Sequence, residues 1–332
     1  MRRRDLLQAA ASGALLASLP AARAAERPRL RLAGPWASVS LPLVRMADAG
    51  TLPGVAAQVD FTPWRNPDEL RLLALDGGAD VLAVPTNVAA NLYNRGVPLR
   101  LVNVSTWGIL WIVSRRAPVA TLAELRGQAI ALPFRGDMPD IVFQLVARAQ
   151  GLDPRRDFEL NYVASPMDAM QLLLARRIAH ALIAEPAASM ALHKSGSFPL
   201  SVIAPELHRA LDLQREWGRV FQRPPRMPQA GIAVLGALRD DDDAVARIHA
   251  AYADALAGCL AEADACGAAF SARQDRLAPE AVAASLRASP LQAVPAGEAR
   301  EALEFFYRQL HAAQPALVGG KLPDARFYGV RG

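Results

Sequence analysis

Apolar positions recur along this chain with two periods, and the two take turns. Leu30-Arg-Leu-Ala33 reads as a strand ending in Gly34-Pro35-Trp36-Ala37-Ser38, and Leu41 to Ala49 follows with helical spacing. Val55 to Phe61 reads as the next strand. Asn66-Pro67-Asp68-Glu69 then supplies an N-cap, a proline at the first helical position and acids in the first turn. Asp80 to Val84, a helix over 87–95, and Leu99 to Val104 continue the series, which predicts a mostly parallel sheet flanked by helices. Ile109 to Val113 breaks the rhythm, because one strand follows another directly. A second series begins after the capping box Thr121-Leu-Ala-Glu124. It comprises a strand over Ala129 to Leu132, a helix over Asp140 to Ala149, a strand over Phe158 to Val163, a helix from Ser165 to about Ile178, a strand at His180 to Ala184, a helix to about Lys194, and a strand over Leu200 to Ile203. Gly231 to Leu235 reads as a lone strand before an entirely helical tail packed outside the first lobe.

One unit of this pattern occurs twice. Asp80-Val-Leu-Ala-Val-Pro85 runs into Thr86-Asn-Val-Ala-Ala-Asn-Leu92, and His180-Ala-Leu-Ile-Ala-Glu-Pro186 runs into Ala187-Ala-Ser-Met-Ala-Leu192. Each is an apolar strand closed by proline and followed at once by a helix. Ligands of open α/β sheets sit beyond the carboxyl ends of the strands, so two such units predict two similar lobes facing one cleft. The expected division is lobe 1 at 28–110 plus 231–332 and lobe 2 at 114–228. Strands near 109–114 and 229–235 carry the chain across and back, and act as a hinge.

The first residues predict export. Arg3-Arg4-Asp5-Leu6-Leu7 precedes the apolar run Ala9 to Leu19, and Ala22-Arg23-Ala24 offers small residues for cleavage, giving a signal peptide over 1–24. The paired arginines resemble a twin-arginine signal, with an ordinary secretory signal as the alternative. No cysteine follows the run, so no lipid anchor is expected, and no later stretch is long and apolar enough to span a bilayer. The leader holds four arginines against one aspartate, so the +5 of the whole chain falls to about +2 without it. That balance gives nucleic acid and anionic membrane surfaces no support as partners. Cys259 and Cys266 lie in one helical pattern, seven residues or about 10 Å apart along a helix, too far for a disulfide. Asp240 to Asp243 read as acids at a helix N-terminus rather than a metal site, since calcium loops alternate acids with other residues.

Across this framework, Gly78-Ala-Asp80 through Pro98, Leu125-Arg-Gly127-Gln-Ala-Ile130, Pro139-Asp140-Ile141, Gly151-Leu152-Asp153-Pro154, Glu185-Pro186 and Asp212-Leu-Gln214-Arg-Glu-Trp217 resemble, in order, the ABC transporter substrate-binding proteins of the nitrate/sulfonate/bicarbonate type, a group that includes thiamine-precursor-binding members. The resemblance implies a two-lobed periplasmic binding protein type II fold, in the periplasm, that closes on a small solute and delivers it to an inner-membrane ABC permease. It implies no cofactor, and the receptor is expected to act as a monomer. Neighbouring groups bind sulfonates, nitrate and pyrimidine precursors of thiamine.

Candidate pocket residues follow from position. From the first lobe these are Trp36 and Ser38 after the first strand, Trp64 after the second, Thr86 and Asn87 after the third, and Trp107 before the crossover. Tryptophans at strand ends stack on ligands or cover core, and Ser38 and Thr86 are natural helix caps beside free N–H groups. From the second lobe they are Arg135, Gly136, Asp137 and Met138, with Arg135 suited to clamp a carboxylate or sulfonate and Asp137 to cap a helix. Glu185 follows an apolar strand, so it must be paired, hydrogen-bonded or facing the cleft; a ligand amine or Arg135 is the expected partner. Several tryptophans beside acids disfavour a bare inorganic anion and predict a small organic solute with a planar or apolar portion and at least one hydrogen-bond donor. The five histidines show no metal spacing, and no nucleophile motif or Cys-x-x-Cys occurs, so no catalytic or metal residue is expected. An enzyme on the same fold, of the menaquinone or thiamine-pyrimidine type, and a sensory binding module are the competing classes.

Overall fold

A computed structural model describes residues 26–330 apart from 117–118, 204–206 and 275. The leader residues lie outside them. Leu30–Pro35 (β1) leads through a 3-10 turn at Ser38–Ser40 into helix Leu41–Asp48 (α1), followed by Val59–Trp64 (β2), Pro67–Leu75 (α2), Val81–Pro85 (β3), Thr86–Asn94 (α3), Leu99–Thr106 (β4) and Leu110–Ser114 (β5). The second series is Ala129–Pro133 (β6), Met138–Ala149 (α4), Glu159–Val163 (β7), Pro166–Leu174 (α5), His180–Ala184 (β8), Ala187–Gly196 (α6), Leu200–Ile203 (α7), His208–Asp212 (β9) and Leu213–Phe221 (α8). Then come Ala230–Leu235 (β10), Asp242–Ala261 (α9), Ala263–Ser271 (α10), Pro279–Ala288 (α11), Leu291–Pro295 (β11) and Arg300–Ala313 (α12).

The strands form two sheets, one in each lobe, and the sheets share one plan. The first has the order β11-β4-β10-β3-β1-β2 and the second β7-β6-β8-β5-β9. Matched from β2 and β7 inward, each sheet has its second strand outermost, then its first, then its third, then a strand inserted from the other half of the chain. The inserted strands β10 and β5 run antiparallel to both neighbours, while β1, β2, β3 and β6, β7, β8 pair in parallel. The duplicated sequence unit is therefore the third strand of each sheet with its helix. Both strands are buried from end to end of their apolar runs, because helices cover both faces of a parallel sheet.

The chain crosses between lobes at 107–109 and again at 222–229, and side chains fasten the crossings. Gln229 accepts from Ile109 N–H (3.1 Å) and Gln214 from Leu110 N–H (2.9 Å). Gly108 lies between them with φ +133, and a Cβ there would sit 1.7 Å from the Gln214 side chain, so only glycine fits.

Several expectations change in the structure. Leu200–Ile203 forms a helical turn rather than a strand, and the fourth strand of that series is β9 at His208–Asp212. The second strand starts at Val59, because Val55 and Ala56 are held in a turn by Leu52 O. The tail is not entirely helical: β11 pairs with β4 and extends the first sheet. Nor does the tail keep to the first lobe, since α11 packs on α6 and α12 on α4. Phe305 and Phe306 of α12 meet Trp217 edge-on at 6.1 and 5.5 Å. Cys259 and Cys266 form a disulfide with Cα atoms 5.2 Å apart. The helix that would separate them breaks at Glu262, where φ is −121° and ψ 56°. The cap expected at Asn66 is a real bond, to Asp68 and Glu69 N–H, whereas Asp137 stands at the N-cap of α4 without a side-chain cap bond because its carboxylate turns to Arg71. Of the four tail acids, Asp241 caps α9 through Ala244 N–H and Asp242 pairs with Arg100.

Candidate functional site

Between the lobes lies a cavity of about 350 Å³ at the carboxyl ends of β1, β2 and β3 on one side and β6 and β8 on the other. Its walls are mostly apolar, with Trp36, Trp64, Val88, Phe134, Met138 and Met167 prominent, and its size falls in the range of small-molecule sites. Trp64 is buried and donates from Nε1 to Ala83 O at 3.3 Å, which fixes the ring as a wall. Trp36 is held edge-on by Phe61 and Phe270, with ring centroids 5.9 and 5.1 Å away. Both indoles are thus set by the protein before any solute arrives, which lowers the entropic cost of stacking.

Of the remaining candidates, Asp137, Met138 and Glu185 also line this cavity. Ser38, Thr86 and Asn87 are buried and do not line it. Thr86 donates from Oγ1 to Pro228 O (2.6 Å) and so ties α3 to the second crossover, instead of capping its own helix. Ser38 Oγ and Asn87 Oδ1 are buried without a hydrogen-bond partner among the described residues, as is Oγ1 of Thr106, which lines the cavity. Orphaned buried polar atoms are costly, and a bound molecule or water is the ordinary remedy.

Trp107, Arg135 and Gly136 lie elsewhere. Trp107 is buried, donates from Nε1 to Gln292 O (2.9 Å), and is covered by Arg226 at 4.3 Å. Arg135 and Gly136 face a separate cavity. Phe134 carries φ +57 and Gly136 φ +76, and this left-handed kink turns Phe134 into the cleft and Arg135 away.

The charges of the cleft are largely spoken for. Glu185, 1 % exposed, takes both guanidinium bonds of Arg209 on Oε1 (3.0 and 2.7 Å), and its Oε2 accepts from Ser189 N–H (2.9 Å). Its partner within the protein is Arg209 rather than Arg135, because β9 lies one strand away from β8 across β5. Arg209 also stacks over Trp111 at 5.4 Å. Asp137 pairs with Arg71 at 2.9 Å across the lobes, and burial nonetheless pushes its carboxyl above the usual range. Ser165 Oγ donates to Asp168 at 2.7 Å. Arg276, brought in by the tail between α10 and α11, is exposed at the mouth with no carboxylate partner among the described residues. No group of three His, Cys, Asp or Glu side chains able to hold a metal occurs among the described residues.

Sequence reasoning missed Thr106, Ile109, Gln229, Arg276 and Leu277 as cavity residues. Thr106 ends a strand and was open to the strand-end rule. Arg276 and Leu277 reach the cleft only through the packing of α11 against α6, which no local pattern encodes.

Two lobes of equivalent plan, crossed twice and facing one cavity, define the fold of type II periplasmic binding proteins. No family model matches the chain, and no curated protein does. Solved structures do. An ABC transporter from Parabacteroides distasonis superposes with a TM-score of 0.73 at 21 % identity, covering 90 % of this chain and 98 % of that one. The periplasmic aliphatic sulphonate binding protein SsuA of Escherichia coli gives 0.66 at 15 % identity, over 90 % and 93 %. The periplasmic nitrate-binding protein NrtA of Synechocystis PCC 6803 gives 0.66 at 14 %, over 87 % and 82 %. At these identities the likeness establishes the fold, and the sulphonate- and nitrate-binding proteins are of the group that the residues themselves resemble.

Proposed function

We propose that this protein is the solute-receiving component of an ABC importer. It is exported to the periplasm, captures a small organic solute between its lobes as a monomer, and hands it to an inner-membrane permease. Lobe 1 comprises 28–110 and 231–332 and lobe 2 comprises 114–228, closing about the crossings fastened by Gln214 and Gln229. Among the described residues no helix is long and apolar enough to cross a membrane. The observation that carries the reading is the cavity itself: apolar walls with two fixed indoles, and Glu185 and Asp137 already paired with arginines of the protein. A cavity of this kind binds by burial and a few polar contacts.

The same features select the solute. Burying about 150 Å² of apolar ligand surface would contribute about 4 kcal/mol, which nitrate or sulfate cannot supply. The polar head reads hydroxyl and amide groups such as Thr106, and a single anionic group is matched by Arg276 at the mouth. A thermal-shift screen of the mature protein over sulfonates, pyrimidines, amines and aromatic acids tests this. A true solute at a hundred times its dissociation constant stabilises by about 2.7 kcal/mol. Tight calorimetric binding of nitrate or sulfate with no organic ligand would sink the solute class, and turnover of a substrate would sink the receptor.

A further inference from the structure

The loop that turns Phe134 into the cleft turns Arg135 into a second cavity, of about 530 Å³, on the other side. Three arginines line it: Arg135, Arg148 at the end of α4, and Arg155 in the loop before β7. Among the described residues many arginines sit against a carboxylate, as Arg31 does with Asp80 and Arg209 with Glu185. Among the described residues none of these three has a carboxylate within ion-pair distance. Asp140, the acid that lines this cavity, is buried and spent: Oδ2 accepts from Gly136 N–H (2.8 Å), and Oδ1 from Gln144 Nε2 (2.8 Å) and Tyr162 OH (3.0 Å).

Neutral neighbours hold two of the guanidiniums in place. Arg135 lies over the Tyr162 ring at 5.1 Å, and Arg148 donates to Gln144 Oε1 at 2.9 Å. Ile141, Phe158, Leu160 and Leu317 give the same cavity an apolar lining. Positioned guanidiniums with free fork faces bind carboxylate and phosphate oxygens, and an apolar lining accommodates carbon. We propose that this cavity is a second ligand site, separate from the cleft, for a small organic anion carrying two or more carboxylate or phosphate groups. Its far wall is Ala313, Gln314 and Leu317, at the end of α12 and just beyond it in the first lobe, so an occupant bridges the two lobes.

Calorimetric titration of the mature protein with citrate and with pyrophosphate, at low and at physiological salt, tests the proposal. Binding of either anion with a sub-millimolar constant that weakens as salt rises is expected. The double variant Arg148→Gln/Arg155→Gln, both residues exposed and outside the cleft, should weaken it about tenfold or more, and Arg155→Gln alone should weaken it less. Trp64→Ala, which alters the cleft wall, should leave it unchanged. Absence of binding to both anions up to about 10 mM, wild-type affinity in the arginine variants, or loss of binding in Trp64→Ala would each overturn it.

Discussion

Strands β3 and β8 hold the same place in their sheets and each feeds a helix at the cleft from its own lobe, yet their ends solve different problems. The first copy ends in Pro85-Thr86, and Thr86 uses its hydroxyl and its N–H to grip Pro228 O and Gln229 O, the strand that returns from the other lobe. The second ends in Glu185, whose carboxylate is locked by Arg209 and Ser189 wholly inside its own lobe. One copy is a tie between lobes and the other an internal clamp. The duplication thus supplies the frame of the cleft, while the residue after each strand decides whether that end faces the hinge or the lobe core.

The clamp carries the largest expected effect. Glu185→Ala leaves Arg209 without its partner in a low-dielectric setting and should cost about 3–5 kcal/mol, read as a lower urea midpoint. The double variant Glu185→Leu/Arg209→Met removes both charges and should recover much of that loss. If the double variant is no more stable than Glu185→Ala, the pair is not the organising contact of this lobe.

Solute capture should depend on the other lobe. Trp64→Ala takes away a wall whose orientation Ala83 O fixes, and should weaken the solute found by the screen about tenfold or more while the melting temperature of the free protein falls. Trp107→Phe, outside the cavity, should leave affinity within about a factor of two. Equal losses in the two variants would place the solute elsewhere.

Much of this contrast was legible in the sequence, and the limits are physical. The duplicated strand-proline-helix unit revealed two equivalent lobes because both strands are buried on both faces and must be continuously apolar. Glu185 stood out because a carboxylate after such a strand needs a partner. Arg209 was not found, since it lies 24 residues away on a strand hidden in the polar-looking His208-Arg209-Ala-Leu-Asp212. Arg135 looked equivalent until the positive φ of Phe134 reversed its direction, and a backbone kink at a non-glycine leaves no compositional mark. The disulfide failed for a similar reason: helical spacing was extrapolated through Glu262, where the helix stops without a proline or glycine.

The tie should cost less than the clamp. Thr86→Val keeps the shape but leaves Pro228 O without its hydroxyl donor, for about 1–2 kcal/mol. Because the bond joins α3 to the returning crossover, the variant should also change the rate of lobe closure, measurable by stopped-flow fluorescence with the identified solute. A stability loss with unchanged closure kinetics would make Thr86 a core contact only.

The smallest effect separates the two copies by pH, at the residues that open them. Asp80 is desolvated, yet Arg31 bonds and charge outweigh that and hold its carboxyl below the usual range. Its contribution is therefore present above the unfolded carboxylate value, about 4, and is lost as pH falls through its lower folded value. His180 is buried with neither ring nitrogen hydrogen-bonded among the described residues, and burial, aided by Arg116, pushes its imidazole below 6.5. Its neutral form is the folded one, so stability is full above pH 6.5 and declines as pH falls from there toward the lower folded value, by at most about 1.4 kcal/mol per pH unit. His249, likewise lowered by burial, adds a parallel slope from the first lobe, so the informative quantity is the difference between wild type and His180→Leu. Between pH 7 and about 5 the variant should lose less stability than wild type, whereas Asp80→Asn should differ from wild type in slope only below about pH 4. If His180→Leu and wild type run parallel from pH 7 to 5, the imidazole finds a proton acceptor in the folded state, and the second copy is as tolerant of acid as the first.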